Sequence, residues 1–435
     1  MIMNQDPNLE GFSKNALKLI NLPSNRMAAA HFTGYMNDPY DKETNPNGYI
    51  SLGIAENLLS IDILREKLEH PTFKCSMIQY SEFGGSTKLK ELIANLQMTR
   101  VIKNPNLSYP IEAKHVSIGA GVTPIVENIF SAFCNPGEIC IIPSPFYSAF
   151  VFDAFARANV TVVPAPMEMY NDNGDIQKFS IQLDVYDNLY KQYGDKIKLI
   201  VICNPNNPTG HIIPSHEILD LIQWAKSKNI HLISDEIYAL SIFTEKANQD
   251  FHSIYDIVNG NLGNNIHIIS GFSKDFCMNG YRCGYAISHN PNLTQYLNMT
   301  SQFYLCSNAA QSVITSILDD KEFLDRYIKS NQNALKKQYD LTTSLLDQHN
   351  IPYLPSDSGM FFTLDLRKCL ESQNVASENK IWDQLYDEYK VILSTGKGCS
   401  FEKVGYYRLI FTIKEDSIRE AINRISKYYQ KYCKH

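Results

Sequence analysis

The sequence predicts an α/β protein: a large domain on a mainly parallel sheet of seven strands, joined to a smaller α/β domain. Three observations carry this. Seven short, apolar, β-branched runs recur between residues 115 and 288, as expected of strands buried on both faces. Helix-like segments separate many of them, which a parallel sheet with crossover connections requires. From about Asn290 the pattern changes to long helices. A chain of 435 residues, 44% hydrophobic, has enough apolar surface for one large and one smaller core.

The seven strands are expected at His115–Ile118, Glu138–Pro143, Val160–Pro164, Lys198–Cys203, Ile230–Ser234, Ile266–Ser270 and Tyr285–Ser288. A helix is expected at Ser215–Lys228, around Trp224. Lys321–His349 is polar with periodic Leu and Tyr, the pattern of a helix linking two domains. After Pro352 come a strand at Met360–Leu366, a helix at Asn379–Tyr389, a strand at Tyr407–Thr412 and a last helix at Glu415–Tyr432. This reading divides the chain into a large domain, 61–310, and a small domain, 311–435.

Composition excludes several classes. The net charge is −6 with acids and bases interspersed, so there is no basic stripe for nucleic acid and no polybasic membrane patch. The polar start, Met1–Asn8, has no apolar core of a secretory signal. No run approaches the roughly 18 apolar residues of a membrane span. The ten cysteines are scattered singly, without a Cys-x-x-Cys pair, so no metal site is expected. Cys140 and Cys203 fall in apolar strands and read as core thiols rather than disulfides. A reduced, cytoplasmic protein is the expectation.

The most informative stretch is SGFSKDFCMNGYR, Ser270–Arg282. Lys274 follows an apolar strand, where desolvating an ammonium is costly. The placement makes chemical sense if its amine forms a Schiff base with pyridoxal 5'-phosphate (PLP), whose ring acts as an electron sink. A surface lysine in a loop is the alternative for this motif alone. Upstream, VICNPNNPTG (Val201–Gly210) and HLISDEIY (His231–Tyr238) begin as apolar strands and end in polar residues, where ligands sit at the carboxyl ends of parallel strands.

Together these motifs resemble the fold-type I PLP enzymes of the aspartate-aminotransferase superfamily, in order and spacing, over nearly the whole chain. The resemblance implies the following roles. Lys274 carries PLP and, once released, removes the substrate's Cα proton. Asp235 faces the pyridine nitrogen and keeps it protonated, unless it serves only a turn. Asn207 and Tyr238 bond the phenolic oxygen; a turn asparagine and a core tyrosine are the alternatives. The phosphate takes backbone amides of Gly119, Ala120, Gly121 and Val122 at a helix start, the Arg282 guanidinium and the Ser273 hydroxyl. Relatives often carry a serine where this chain has Gly271, so one phosphate contact is missing or replaced. Tyr147, or failing it Phe146, stacks on the ring. Arg408 clamps the substrate α-carboxylate, unless a structural carboxylate claims it.

The segment NDPYDKETNPNGYISLGIAEN, Asn37–Asn57, narrows the resemblance to 1-aminocyclopropane-1-carboxylate (ACC) synthases and ACC synthase-like proteins. In that group the N-terminal segment, residues 1–60, packs with the small domain and reaches over the site. Glu56 then sits beside cofactor and substrate, a plausible partner for the cationic S-adenosyl-L-methionine (SAM); a helix-start residue is the alternative. Tyr80 begins a Tyr-x4-Gly element whose tyrosine, in relatives, reaches the phosphate of a neighbouring subunit, which implies a homodimer with shared sites. Phe83 stands where plant-type synthases have a tyrosine. Its ring keeps a cation–π surface for a sulfonium but lacks the hydroxyl. The resemblance implies ACC synthesis from SAM, with a link to ethylene biosynthesis. An aminotransferase or β-eliminating lyase is the second reading, and a non-catalytic scaffold the third.

Overall fold

The computed structural model describes residues 11–22, 26–69 and 75–433. The polar opening Met1–Asn8 lies outside them. Seven strands form one sheet in the spatial order Val116–Gly119, Gly284–Ser288, Ile266–Gly271, His231–Asp235, Ile197–Cys203, Ile139–Ser144 and Thr161–Pro166. Gly284–Ser288 runs antiparallel to both neighbours, and the other pairings are parallel.

Both faces of this sheet are covered, which explains the unbroken apolar runs. Ile118, Ile141, Ile200, Leu232, Ile268 and Ile287 pack into one buried cluster. Their strand neighbours Cys140, Leu199, Val201, Ile233, Ile269 and Ala286 point to the other face, under the helix Val122–Phe133. The period-two alternation of the pleat sorts them.

A second, four-stranded sheet orders Tyr353–Leu354, Phe361–Asp365, Tyr406–Ile410 and Ser394–Thr395, all antiparallel. Its core joins Phe362, Leu364 and Leu409 to Ile418, Ile422 and Ile425 of the helix Glu415–Tyr432. Tyr49, Ile50 and Leu52 enter the same core, and Ile50–Ser51 pairs in parallel with Val391–Ile392. The helix Lys321–Gln348 spans both cores: Phe323, Leu324 and Tyr327 belong to the large one, Leu335 and Leu346 to the small one.

Two expectations need correction. The helix read at Asn379–Tyr389 is Val375–Asp387, because the Asn374 side chain accepts from the Ser377 amide and caps the helix earlier. The expectation of a wholly reduced chain has an exception: Cys369, at the end of the turn Arg367–Cys369, forms a disulfide with Cys433, just past the last helix. Their separation in sequence gave no sign of it. Cys140 and Cys203 are free, buried thiols, as expected. No described helix is long and apolar enough to cross a membrane.

Candidate active site

The parallel strands Ile197–Cys203, His231–Asp235 and Ile266–Gly271 end side by side, and a cavity of about 330 Å³ opens beyond their carboxyl ends. Its wall includes Val122, Thr123, Tyr147, Asn207, Asp235, Tyr238, Ser273, Lys274, Arg282 and Arg408. Residues from six separate stretches of chain therefore meet in one place.

Lys274 begins the loop after its strand. Its Nζ donates to the Ala55 carbonyl at 2.6 Å. Burial lowers its pKa to about 8; Arg408 and Arg282 add to that, while Glu56 and Asp235 oppose it. Asp235 is buried at its strand end and accepts from the Ile237 amide at 3.2 Å. Burial pushes its carboxyl up to about 7, against the pull of the Ile237 amide and of Lys274. A cation facing Asp235 would return it to the ionised form.

Arg408 is the central residue of Tyr406–Ile410 and is buried. One Nη donates to Asn207 Oδ1 at 2.9 Å; the other donates to the Gly53 carbonyl at 2.6 Å and to Ser394 Oγ at 3.1 Å. Its Nε is buried without a hydrogen-bond partner. Among the described residues its side-chain partners are Asn207, Gly53 and Ser394, none of them a carboxylate. The Asn207 amide donates to the Tyr238 hydroxyl at 3.4 Å. Tyr238 is buried and packs edge-on to Phe361, and burial pushes its pKa well up.

At the glycine-rich turn the backbone amides have partners of their own. Gly119 is the last strand residue, the Ala120 amide donates to the Tyr304 carbonyl at 2.8 Å, and the Gly121 amide folds back to Gly119 at 2.8 Å. Those amides are spent on the backbone, and none of the three residues lines the cavity. Val122 and Thr123 do, at the start of the helix Val122–Phe133. Thr123, with its hydroxyl, was missed; a threonine next to the first helical residue was the available signal. Gly121 has φ +95°, and a Cβ there would come within 2.7 Å of Arg282 Nη2. The guanidinium is thus packed against the helix start, where the dipole favours an anion. Gly271 has no room for a serine: a Cβ would lie 2.9 Å from the Cys283 carbonyl.

Tyr147 lines the cavity, whereas Phe146 is buried in the core, which separates the two candidates for the stacking ring. Glu56 is exposed at the rim and outside the cavity wall; its charge still acts on Lys274, His31 and Tyr35. Tyr80 and Phe83 lie on the exterior, fully and 59% exposed. Sequence reading also missed Met27, Gly53, Ala55, Asp153 and Asn279, all in the wall. Gly53 and Ala55 act through main-chain carbonyls, which leave no side-chain signature.

These groups fit a phosphorylated pyridine aldehyde: a lowered lysine for the aldehyde, a buried carboxyl for a ring nitrogen, and a helix start with an arginine for a phosphate. The fold is that of the fold-type I PLP-dependent enzymes. Residues 51–425 match the model of the aminotransferase class I and II family, and the chain belongs to that family. PLP is the family's cofactor. The chain is 32% identical to 1-aminocyclopropane-1-carboxylate synthase 6 of Oryza sativa subsp. japonica, over 89% of this chain and 74% of that protein. It is 28% identical to 1-aminocyclopropane-1-carboxylate synthase 7 of Arabidopsis thaliana, over 92% and 91%. It is equally similar, at 28% over 93% and 70%, to a Mus musculus protein named "Probable inactive 1-aminocyclopropane-1-carboxylate synthase-like protein 2". Among solved structures, an aspartate aminotransferase of Thermotoga maritima shares the fold, with a TM-score of 0.74 at 21% identity over 97% of this chain and all of that one.

Proposed function

We propose that this protein is a PLP-dependent lyase that converts SAM to ACC and methylthioadenosine. One observation carries the reading. The segment with the ACC synthase-like signature runs along the cavity wall, and its Gly53 and Ala55 carbonyls bond Arg408 and Lys274. The signature therefore belongs to the site rather than to a distant surface.

When bound, PLP withdraws electrons from the substrate's Cα. Arg408 holds the α-carboxylate through paired hydrogen bonds, fixing Cα beside Lys274. The Lys274 amine, with its pKa at about 8, is in part neutral near neutral pH and takes the Cα proton. The electron pair left on Cα attacks Cγ, and the Cγ–sulfur bond breaks with its electrons leaving on methylthioadenosine. Asp235 would stabilise a cationic ring nitrogen, Tyr147 would restrain the ring, and Asn207 and Tyr238 would bond the phenolic oxygen. Val122, Thr123, Ser273 and Arg282 would hold the phosphate. Glu56 at the rim supplies a carboxylate for the sulfonium.

The site is shared between two copies of the chain. Ile78, Tyr80, Phe83, Met299 and Phe303 are all strongly exposed. They form one surface, because the Gly84 amide donates to Ser301 Oγ at 2.8 Å. An apolar patch of this kind is suited to a second copy, which would bring Tyr80 and Phe83 to the neighbour's cavity.

A second reading, an aminotransferase or β-eliminating lyase on another amino acid, is favoured by Phe83, which has no hydroxyl. The deciding test incubates the PLP-loaded protein with SAM, using Lys274→Ala as the blank, and analyses products by mass spectrometry. ACC and methylthioadenosine together support the synthase. Their absence, with conversion of the cofactor to its pyridoxamine form by a common amino acid, supports the second reading.

A further inference from the structure

Asn279 has no role in the scheme above, yet it stands between the two cations on the cofactor side of the site. Its Nδ2 donates to the Ala55 carbonyl at 3.1 Å, the same oxygen that accepts Lys274 Nζ at 2.6 Å. Its main-chain carbonyl accepts from Arg282 Nη1 at 3.0 Å. Its Oδ1 is buried without a hydrogen-bond partner, and the residue lines the cavity. A carbonyl oxygen has two lone pairs, and here an amide and an amine divide them.

We propose that Asn279 is a positioning residue for Lys274: by holding the Ala55 carbonyl, its side-chain amide limits how strongly that carbonyl retains the lysine amine. This rests on Lys274 being the cofactor-binding lysine. The physical argument concerns the proton. To capture PLP, the lysine must first give up a proton; its neutral nitrogen then adds to the aldehyde carbon and water is lost. A carbonyl bonded to the ammonium favours the charged form. With one lone pair committed to Asn279, Ala55 is a weaker acceptor for Lys274. Without the amide, the carbonyl turns wholly to the ammonium and capture moves to higher pH. The other groups that face the amine are Arg408 and Arg282, which disfavour its charge, and Glu56 and Asp235, which favour it. Tyr147 and Tyr238 share the cavity, and burial keeps both phenols protonated.

The test follows PLP capture by the full-length, cofactor-free protein in a stopped-flow spectrophotometer across pH 6 to 10. The wild-type rate is expected to rise with a midpoint near the lysine value of about 8. Asn279→Ala is expected to shift the midpoint upward by half a unit or more, so that capture at pH 7 slows about threefold. Asn279→Asp keeps the shape but replaces the donor with an anion; its midpoint is expected to rise further. Midpoints equal to wild type in both variants, whether or not the rates fall, would overturn the inference. Capture by Lys274→Ala at wild-type amplitude would overturn the lysine assignment and the inference with it.

Discussion

Arg408 donates to Asn207 Oδ1 at 2.9 Å, while the same asparagine donates its amide to the Tyr238 hydroxyl. The residue assigned to the substrate carboxylate and those assigned to the cofactor's phenolic oxygen are thus one hydrogen-bonded unit. Removing its middle member affects both ends. Asn207→Ala is expected to raise KM for the amino acid and to shift the pH dependence of the bound cofactor's absorbance. A lost hydrogen bond to a buried charge costs ~1.5–3 kcal/mol, roughly 10- to 150-fold in kcat/KM. Steady-state kinetics with a spectral pH titration checks this; a change confined to KM would mean the two ends are not coupled.

Asp235 makes a pH prediction. Its folded value, about 7, lies above the ordinary 3.8, so the folded state binds the extra proton. Its contribution to stability is present below the ordinary value and is lost as pH rises through about 7. Asp235→Asn does not titrate. In the cofactor-free protein, melting of the variant relative to wild type is expected to be more favourable at pH 8 than at pH 5. PLP affinity of the variant is expected to be below that of wild type at both pH values, because the amide cannot ionise to pair with a cationic ring nitrogen. A pH-independent difference in melting would contradict the account.

Gly121→Ala addresses the phosphate cradle. The new methyl group meets Arg282 Nη2 at 2.7 Å and must adopt φ +95°. The backbone strain alone costs about 1–3 kcal/mol. Lower thermal stability and at least tenfold weaker PLP binding are expected by melting and equilibrium dialysis. Wild-type affinity in this variant would remove Arg282 from the phosphate site.

The elements were legible where periodicity and composition agree. The helix expected at Lys321–His349 is Lys321–Gln348, and Glu415–Tyr432 coincides with its expectation. Six of the seven strands were legible because both their faces are buried, and the half-exposed edge strand Thr161–Pro166 through its paired valines. The short hairpin Glu168–Tyr170 with Ile176–Phe179 was not read, since its mixed polarity resembles a loop. Within the site, side chains at strand ends could be read from motifs. What escaped was backbone chemistry. Nothing in GIA, Gly53–Ala55, signals that two of its carbonyls would face Arg408 and Lys274. The pairing of the Ala120 and Gly121 amides with the Tyr304 and Gly119 carbonyls is likewise backbone chemistry that the glycine-rich turn does not announce.

The exposed Tyr80 predicts complementation between subunits. Tyr80→Ala and Lys274→Ala homodimers are each expected to be impaired. Mixed in equal amounts under exchange conditions, they form heterodimers with one site free of both changes and regain up to a quarter of wild-type activity. Sedimentation should give a dimer, dissociated by Phe303→Asp. Absence of both regain and dimer would confine the site to one chain.

The central claim is that Lys274 removes the Cα proton of SAM. The most direct measurement compares methylthioadenosine release from SAM and from SAM deuterated at Cα, under single-turnover conditions with PLP-loaded protein. A slower release from the deuterated substrate, with one ACC formed per methylthioadenosine and no release by Lys274→Ala, is the predicted result. Release without ACC, at equal rates for the two substrates and undiminished in Lys274→Ala, would contradict it.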